Sequence, residues 1–150
     1  MEEKKALRIL YVEDSPHDAE LVRREIKRFF PQSAFKVVDT KESLMQSLRN
    51  FQPELVLSDY SMPAFNGLEV LEIVFEQQAE IPVIIVTGSI DEETAVGCLR
   101  AGATDYVLKE SLNRLGQSIS QALRQKELNA ERLRVLELLQ ESEERFRRLA

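Results

Sequence analysis

Five short runs of Val, Ile and Leu constrain this chain more than any other feature: Leu7 to Val12, Phe35 to Val38, Leu55 to Leu57, Val83 to Val86 and Tyr106 to Leu108. Their apolar character is nearly unbroken, with little of the alternation expected of a strand that keeps one face in water. Parallel strands covered by helices on both faces have this signature. Between the runs the apolar period becomes helical. Ala19, Val22, Ile26 and Phe29 or Phe30 follow a Ser15-Pro16 start, where serine can cap a helix and proline suits its first turn. Leu44, Leu48 and Phe51 mark a second helix that stops before Pro53, and Leu68, Leu71, Val74 and Phe75 mark a third after Gly67. A fourth spans about Asp91 to Arg100 and ends at Gly102. Strand and helix alternate five times, with crossovers long enough for parallel pairing and right-handed by a strong rule. The expected architecture is a doubly wound α/β sandwich.

From Ser111 onward the pattern changes to Leu, Glu, Arg and Gln without a further strand or proline. This predicts one long helix, extending roughly 60 Å if continuous to Ala150, which is more than a small domain can cover. Leu112, Leu115, Ile119, Ala122 and Leu123 are expected to pack on the sheet, and the remainder must project. In that remainder Leu128, Val135, Leu139, Phe146 and Leu149 fall near heptad spacing, with Arg132 and Ser142 as polar interruptions. The expected division is a domain over residues 1–125 and a helical linker or coiled-coil extension over 126–150, through which two copies could pair.

Several functional classes are disfavoured. The longest apolar runs, such as Val83-Ile84-Ile85-Val86, are far too short to cross a bilayer, and the charged opening Met1-Glu2-Glu3-Lys4-Lys5 lacks the apolar stretch of a secretory signal. A cytoplasmic protein is expected. Cys98 is the sole cysteine, which excludes an internal disulfide and a thiolate zinc cluster. A net charge of −6 argues against non-specific nucleic-acid binding, which needs a basic face.

In an open parallel sheet, ligands bind outside the carboxyl ends of the strands, where strand order reverses. Here the first strand ends in Glu13-Asp14, the third in Asp59, the fourth in Thr87 and the fifth in Lys109. Taken singly, each is an ordinary turn, cap or solvated residue. Taken together they put three carboxylates, a hydroxyl and an ammonium on one edge, which packing alone would not select. Clustered carboxylates repel, and a hard divalent cation relieves them. Mg2+ suits best, because it uses one or two protein carboxylates plus waters and phosphate oxygens, leaving one carboxylate as nucleophile. A metal, a lysine and a hydroxyl around an in-line acceptor supply what phosphoryl transfer needs, and the natural product is an aspartyl phosphate.

Ile9-Leu10-Tyr11-Val12-Glu13-Asp14-Ser15, Ser58-Asp59-Tyr60-Ser61-Met62-Pro63 with Gly67, Val86-Thr87-Gly88, and Ala101-Gly102-Ala103-Thr104-Asp105-Tyr106-Val107-Leu108-Lys109 resemble the receiver domains of bacterial two-component response regulators. The resemblance spans roughly residues 7 to 125. It implies a flavodoxin-like, five-stranded parallel sheet in order 2-1-3-4-5. It also implies that Asp59 takes a phosphoryl group from a phosphohistidine on a sensor histidine kinase or histidine phosphotransfer protein, or from a small phosphodonor. Asp14 and Asp59 would bind Mg2+ by side chain, Glu13 through water and Ser61 by its backbone carbonyl. Thr87 and Lys109 would hold the phosphoryl oxygens. Tyr106 would be the switch aromatic, moving inward as Thr87 turns and reshaping the surface of the fourth helix, fifth strand and fifth helix. Any catalytic output would lie in another domain.

Receivers often carry a proline directly after the lysine, joined by a cis peptide, whereas Glu110 follows Lys109 here. A cis bond to a non-proline costs about 2.5 to 4 kcal/mol, so either a strained cis peptide or a locally different loop is expected. His17 is expected to be solvated and Cys98 to be core. The segment Leu138 to Ala150 resembles the helix that leads into a PAS sensory domain, which would make the chain the N-terminal receiver of a longer protein such as a hybrid sensor kinase or a cyclic-dinucleotide enzyme. Two other readings stand beside the receiver. A haloacid dehalogenase-type phosphatase wants a second Asp two residues after the nucleophile, where Ser61 stands. A phosphorylation-independent dimerising scaffold would retain the fold, although such receivers usually lack one of the acids or the lysine, and all are present here.

Overall fold

All five apolar runs become strands of one parallel sheet: β1 (Arg8–Val12), β2 (Ala34–Val38), β3 (Leu55–Ser58), β4 (Val83–Thr87) and β5 (Asp105–Leu108), in the order β2-β1-β3-β4-β5. The computed structural model describes residues 6–88 and 91–149; the charged opening Met1 to Lys5 and the terminal Ala150 lie outside the described residues. Four crossover helices, α1 (Pro16–Phe29), α2 (Lys41–Asn50), α3 (Gly67–Gln77) and α4 (Glu92–Arg100), join the strands, and α5 (Leu115–Leu149) follows β5. Each crossover helix begins with a side chain that accepts a hydrogen bond from an otherwise unpaired backbone N–H. Ser15 accepts from Asp18, Thr40 from Ser43, Asn66 from Glu69 and Asp91 from Thr94.

Successive strand residues point to opposite faces, so the sheet builds two cores. Leu10, Val12, Val56 and Ile85 pack with Leu44, Leu48, Val70, Val74 and Cys98 of α2, α3 and α4. Ile9, Tyr11, Leu57, Ile84, Val86 and Val107 pack on the other face with Val22 and Ile26 of α1 and with Leu115, Ile119 and Ala122 of α5. Cys98 is core, as expected, and burial pushes its thiol up.

Three expectations need adjusting, and the alternative of Phe29 or Phe30 falls to Phe30. β2 is not covered on both faces: Lys36 and Val37 are exposed, because the outermost strand has a neighbour on one side only. Phe75 is 69% exposed; Val70, Leu71 and Val74 already fill the inner face of α3. Phe29 is half exposed, its ring lying where a Cβ on Gly116 would come within 2.5 Å, and Phe30 takes the place against the core. The long helix begins at Leu115 rather than Ser111. Residues Lys109–Arg114 form a 3-10 segment broken by non-helical Ser111 (φ −124°, ψ 41°), and no described peptide bond is cis. The loop after Lys109 is therefore the locally different one.

The expected packing of Leu112, Leu115, Ile119, Ala122 and Leu123 is observed. Every residue from Glu127 to Leu149 is exposed. With 35 residues, α5 extends roughly 52 Å. Among the described residues no helix is long and apolar enough to cross a membrane.

Gly67 is the glycine on which the rim of the sheet depends. A Cβ there would lie 3.1 Å from Tyr60 Cα, 3.2 Å from the Asp59 carbonyl oxygen and 3.2 Å from Ile85 Cδ1. Backbone cannot yield as a side-chain tip can, so Gly67→Ala is expected to lower stability by about 1–3 kcal/mol. Gly97, inside α4 with nothing among the described residues within 4 Å of its Cβ position, gives the opposite expectation: Gly97→Ala raises stability by about 0.5–1 kcal/mol. Urea midpoints of the two variants test both signs.

Candidate functional site

The acidic cluster forms because strand pairing runs past the ends of β1 and β3. Glu13 N–H donates to the Val38 carbonyl (2.9 Å) and Asp59 N–H to the Val12 carbonyl (2.9 Å), so both residues are held by the sheet rather than by a loose loop. Glu13 is 3% and Asp59 6% exposed, while Asp14 sits in the open at the rim. One carboxylate oxygen from each of the three lies within 4.8 Å of the others. The Tyr11 hydroxyl donates to Glu13 Oε2 (2.9 Å), Ser15 N–H to Glu13 Oε1 (3.1 Å) and Tyr60 N–H to Asp59 Oδ1 (2.9 Å).

Lys109 enters this cluster from the end of β5. Its Nζ lies 2.7 Å from Asp18 Oδ2, 3.1 Å from Glu13 Oε2 and 3.5 Å from Asp59 Oδ2. Burial works against the ammonium, but these carboxylates outweigh it and hold its proton more firmly than usual. Glu13 is pushed up, first by burial and then by the Asp59 charge. Burial and the neighbouring Glu13 also raise the Tyr11 hydroxyl, which keeps it a donor.

Thr87 is buried at the end of β4, in register with Leu108, and the Cβ position of the following Gly88 is 4.0 Å from Lys109 Cδ. Ser61 is exposed two residues beyond Asp59. The structure thus brings Glu13, Asp14, Asp59 and Lys109 into one group and sets Thr87 at the same rim. Tyr106 stands apart: it packs against the Cys98 face of the core, its hydroxyl buried without a partner among the described residues and pushed up to about 12 by that burial. His17 is exposed.

Two members escaped the sequence reading. Tyr11 was readable, since it lies two residues before Glu13 on one strand face, yet it passes for one more apolar residue of the run. Asp18 carries no such signal: it looks like an ordinary acid in the first turn of a helix, and its partner Lys109 is 91 residues away.

Four acids, Glu13, Asp14, Asp18 and Asp59, and one ammonium leave the cluster short of positive charge, and its oxygen donors suit a hard cation. An α/β sandwich with such a cluster at the carboxyl rim of its central strands belongs to the class of proteins whose chemistry lies at the switch point of an open sheet. The response regulator receiver domain model matches residues 9–120, and the chain belongs to that family. It is 32% identical over 125 residues to the C4-dicarboxylate response regulator DctR of Halalkalibacterium halodurans, covering 81% of this chain and 53% of that protein. It is 31% identical over 127 residues to the regulatory protein AtoC of Escherichia coli, covering 83% of this chain and 27% of that one. Among solved structures, NtrX from Brucella abortus superposes with a TM-score of 0.78 at 26% identity, over 87% of this chain and 30% of that one. A CheY-like receiver domain from Methanospirillum hungatei gives 0.73 at 25% identity, over 83% and 99%. The chain spans about half the length of the DctR relatives it matches. Receiver domains of this family are non-catalytic signalling modules of the phosphorelay, and the phosphatase and scaffold readings find no support.

Glu13 gives a pH dependence whose sign is fixed. Its proton is held more tightly in the folded chain than in the unfolded chain, where the ordinary value is 4.5. The ionised form therefore opposes folding, and stability gains as pH falls through the raised value, the gain being complete below 4.5. Glu13→Gln is expected to lose this gain. Urea midpoints measured between about pH 8 and pH 4 should show a wild-type-minus-variant difference that changes with pH, and a flat difference would contradict the expectation.

Proposed function

We propose that Asp59 is the phosphoacceptor of this receiver and takes its phosphoryl group from a phosphohistidine on a sensor histidine kinase or histidine phosphotransfer protein. One observation carries the reading: a buried aspartate at the end of β3, 3.5 Å from the Lys109 ammonium, shares its surroundings with the carboxylates of Glu13 and Asp14. With Asp59 Oδ1 engaged by Tyr60 N–H, Oδ2 faces Lys109 and is the oxygen available to attack. The O–P bond forms as the N–P bond of the phosphohistidine breaks and the imidazole leaves. Lys109 neutralises charge on the phosphoryl oxygens, and the Thr87 hydroxyl donates to one of them.

In this reading Asp14 and Asp59 hold Mg2+ by their side chains, Glu13 through water and Ser61 by its backbone carbonyl. The cation, when bound, offsets the negative charge that the acids and the phosphoryl group bring together. Residues 1–125 then form the receiver and 126–150 a helical extension. Tyr106 is the switch aromatic, reporting on Thr87 to the surface of α4, β5 and α5. The exposed seam of Leu128, Val135, Leu139, Phe146 and Leu149 supports pairing of two such helices in a dimer. The setting is the bacterial cytoplasm, and the tail's likeness to a PAS-linking helix suggests that α5 serves as an output rod.

Incubation with acetyl phosphate and Mg2+ is expected to add one hydroxylamine-labile phosphate to the wild type and none to Asp59→Asn, read by intact mass. A wild type that takes up no phosphate under these conditions would remove the reading. Light scattering is expected to give the mass of a dimer, and Leu139→Glu with Phe146→Glu that of a monomer.

A further inference from the structure

We propose that Asp18 is a positioning residue that holds the Lys109 ammonium at rest and competes for it with a phosphoryl group on Asp59, an inference that rests on the phosphoacceptor reading above. The Lys109 contact to Asp18 is the shortest of its three, 2.7 Å against 3.1 Å to Glu13 and 3.5 Å to Asp59. The ammonium donates hydrogen bonds to Asp18 and Glu13, while Asp59 Oδ2 stands at ion-pair distance. A phosphoryl group adds further anionic oxygens beside Asp59 and draws the ammonium toward β3, at the expense of one of its two hydrogen-bonded partners.

The environment selects which partner is released. Glu13 is buried, and its release would leave a desolvated carboxylate with Tyr11 and Ser15 as its donors among the described residues. The Asp18 side chain is 31% exposed and can be hydrated as it lets go. It also stands in the first turn of α1, where unpaired backbone N–H groups favour an acid, and its own N–H is fixed by the Ser15 cap. Asp18 is thus held firmly enough to draw the ammonium toward α1, and exposed enough to surrender it. The pull of Asp18 opposes phosphorylation, and weakening that pull eases occupancy of the acceptor site.

Beryllofluoride, the phosphoryl mimic, is titrated at fixed Mg2+ and followed by 19F NMR in the full chain. The wild type is expected to bind, Asp18→Asn to bind about three- to tenfold more tightly, and Asp18→Glu to return toward wild type. Asp18→Ala provides the same reading if the Asn variant does not fold. Glu20→Gln, which removes a charge from the same helix where Glu20 pairs with Arg23 and Arg24, is expected to match wild type. Unchanged or weaker binding by Asp18→Asn overturns the proposal. Equal tightening by Glu20→Gln also overturns it, by assigning the effect to the general field of the helix. A wild type that does not bind beryllofluoride instead sinks the phosphoacceptor reading itself, and the proposal with it.

Discussion

The contact on which the rest of this molecule depends is the one between Lys109 and the acids at the ends of β1 and β3. Strand pairing carries Glu13 and Asp59 into a rim where water is largely excluded, and like charges there oppose each other. Such a cluster is unfavourable for folding on its own. It is tolerated because β5 delivers an ammonium within 3.5 Å of both buried carboxylates, because Ser15 and Tyr60 donate to their other oxygens, and because Tyr11 donates to Glu13 Oε2 alongside Lys109. The remaining excess of negative charge makes the rim receptive to a cation. A site that was electrostatically complete would have no reason to bind one.

The same lysine ties the site to the outer surface. Lys109 directly follows β5 and opens the 3-10 segment, which leads directly into α5. A second tie lies next to it. The Asp105 carboxylate accepts from Tyr106 N–H at 2.7 Å and from the Ser118 hydroxyl at 2.6 Å, so one side chain spans the backbone of Tyr106 and the first turns of α5. Tyr106 itself holds a buried hydroxyl without a partner among the described residues, which costs about 1–3 kcal/mol.

What could be read from the sequence follows from the range of the forces involved. Strands, helix starts and the acidic rim are local or periodic properties: Val83 to Val86 declares a buried strand, Ser15-Pro16 a helix start, and Asp59 after an apolar run a strand-end acid. Sheet order came from the family resemblance, which carries long-range information that periodicity lacks. Failures occurred where a pairing crosses the sheet or where two residues compete for one place. Phe75 fits the helical period, yet Val70, Leu71 and Val74 already occupy the inner face of α3. Ser111 fits a helix by composition, yet the chain must turn out of β5 before α5 can pack, and it does so with a non-helical residue. Asp18 was invisible as a partner of Lys109 because nothing in the first turn of α1 reports what β5 brings to it.

The outer half of α5 poses an energetic problem that the domain itself does not solve. Burial ends near Lys126, and from there Leu133, Val135, Leu136, Leu138, Leu139, Phe146 and Leu149 all lie in water. Helix propensity alone leaves a segment of this length marginal, because each residue fixed in the helix loses conformational freedom and only an amphipathic contact repays it. The inner half supplies a nucleus, since Leu115, Ile119 and Ala122 are anchored on the sheet and the helix propagates outward from them without a fresh nucleation step. Propagation explains how the rod can begin, but not why its apolar side chains are spaced to make a seam. Leu128, Val135 and Leu149 recur at multiples of seven, with Leu139 and Phe146 completing the alternate position, and Ser142 and Arg132 weaken the stripe within it. On the dimer proposed above, a second copy packs along this seam, and its polar interruptions weaken that pairing.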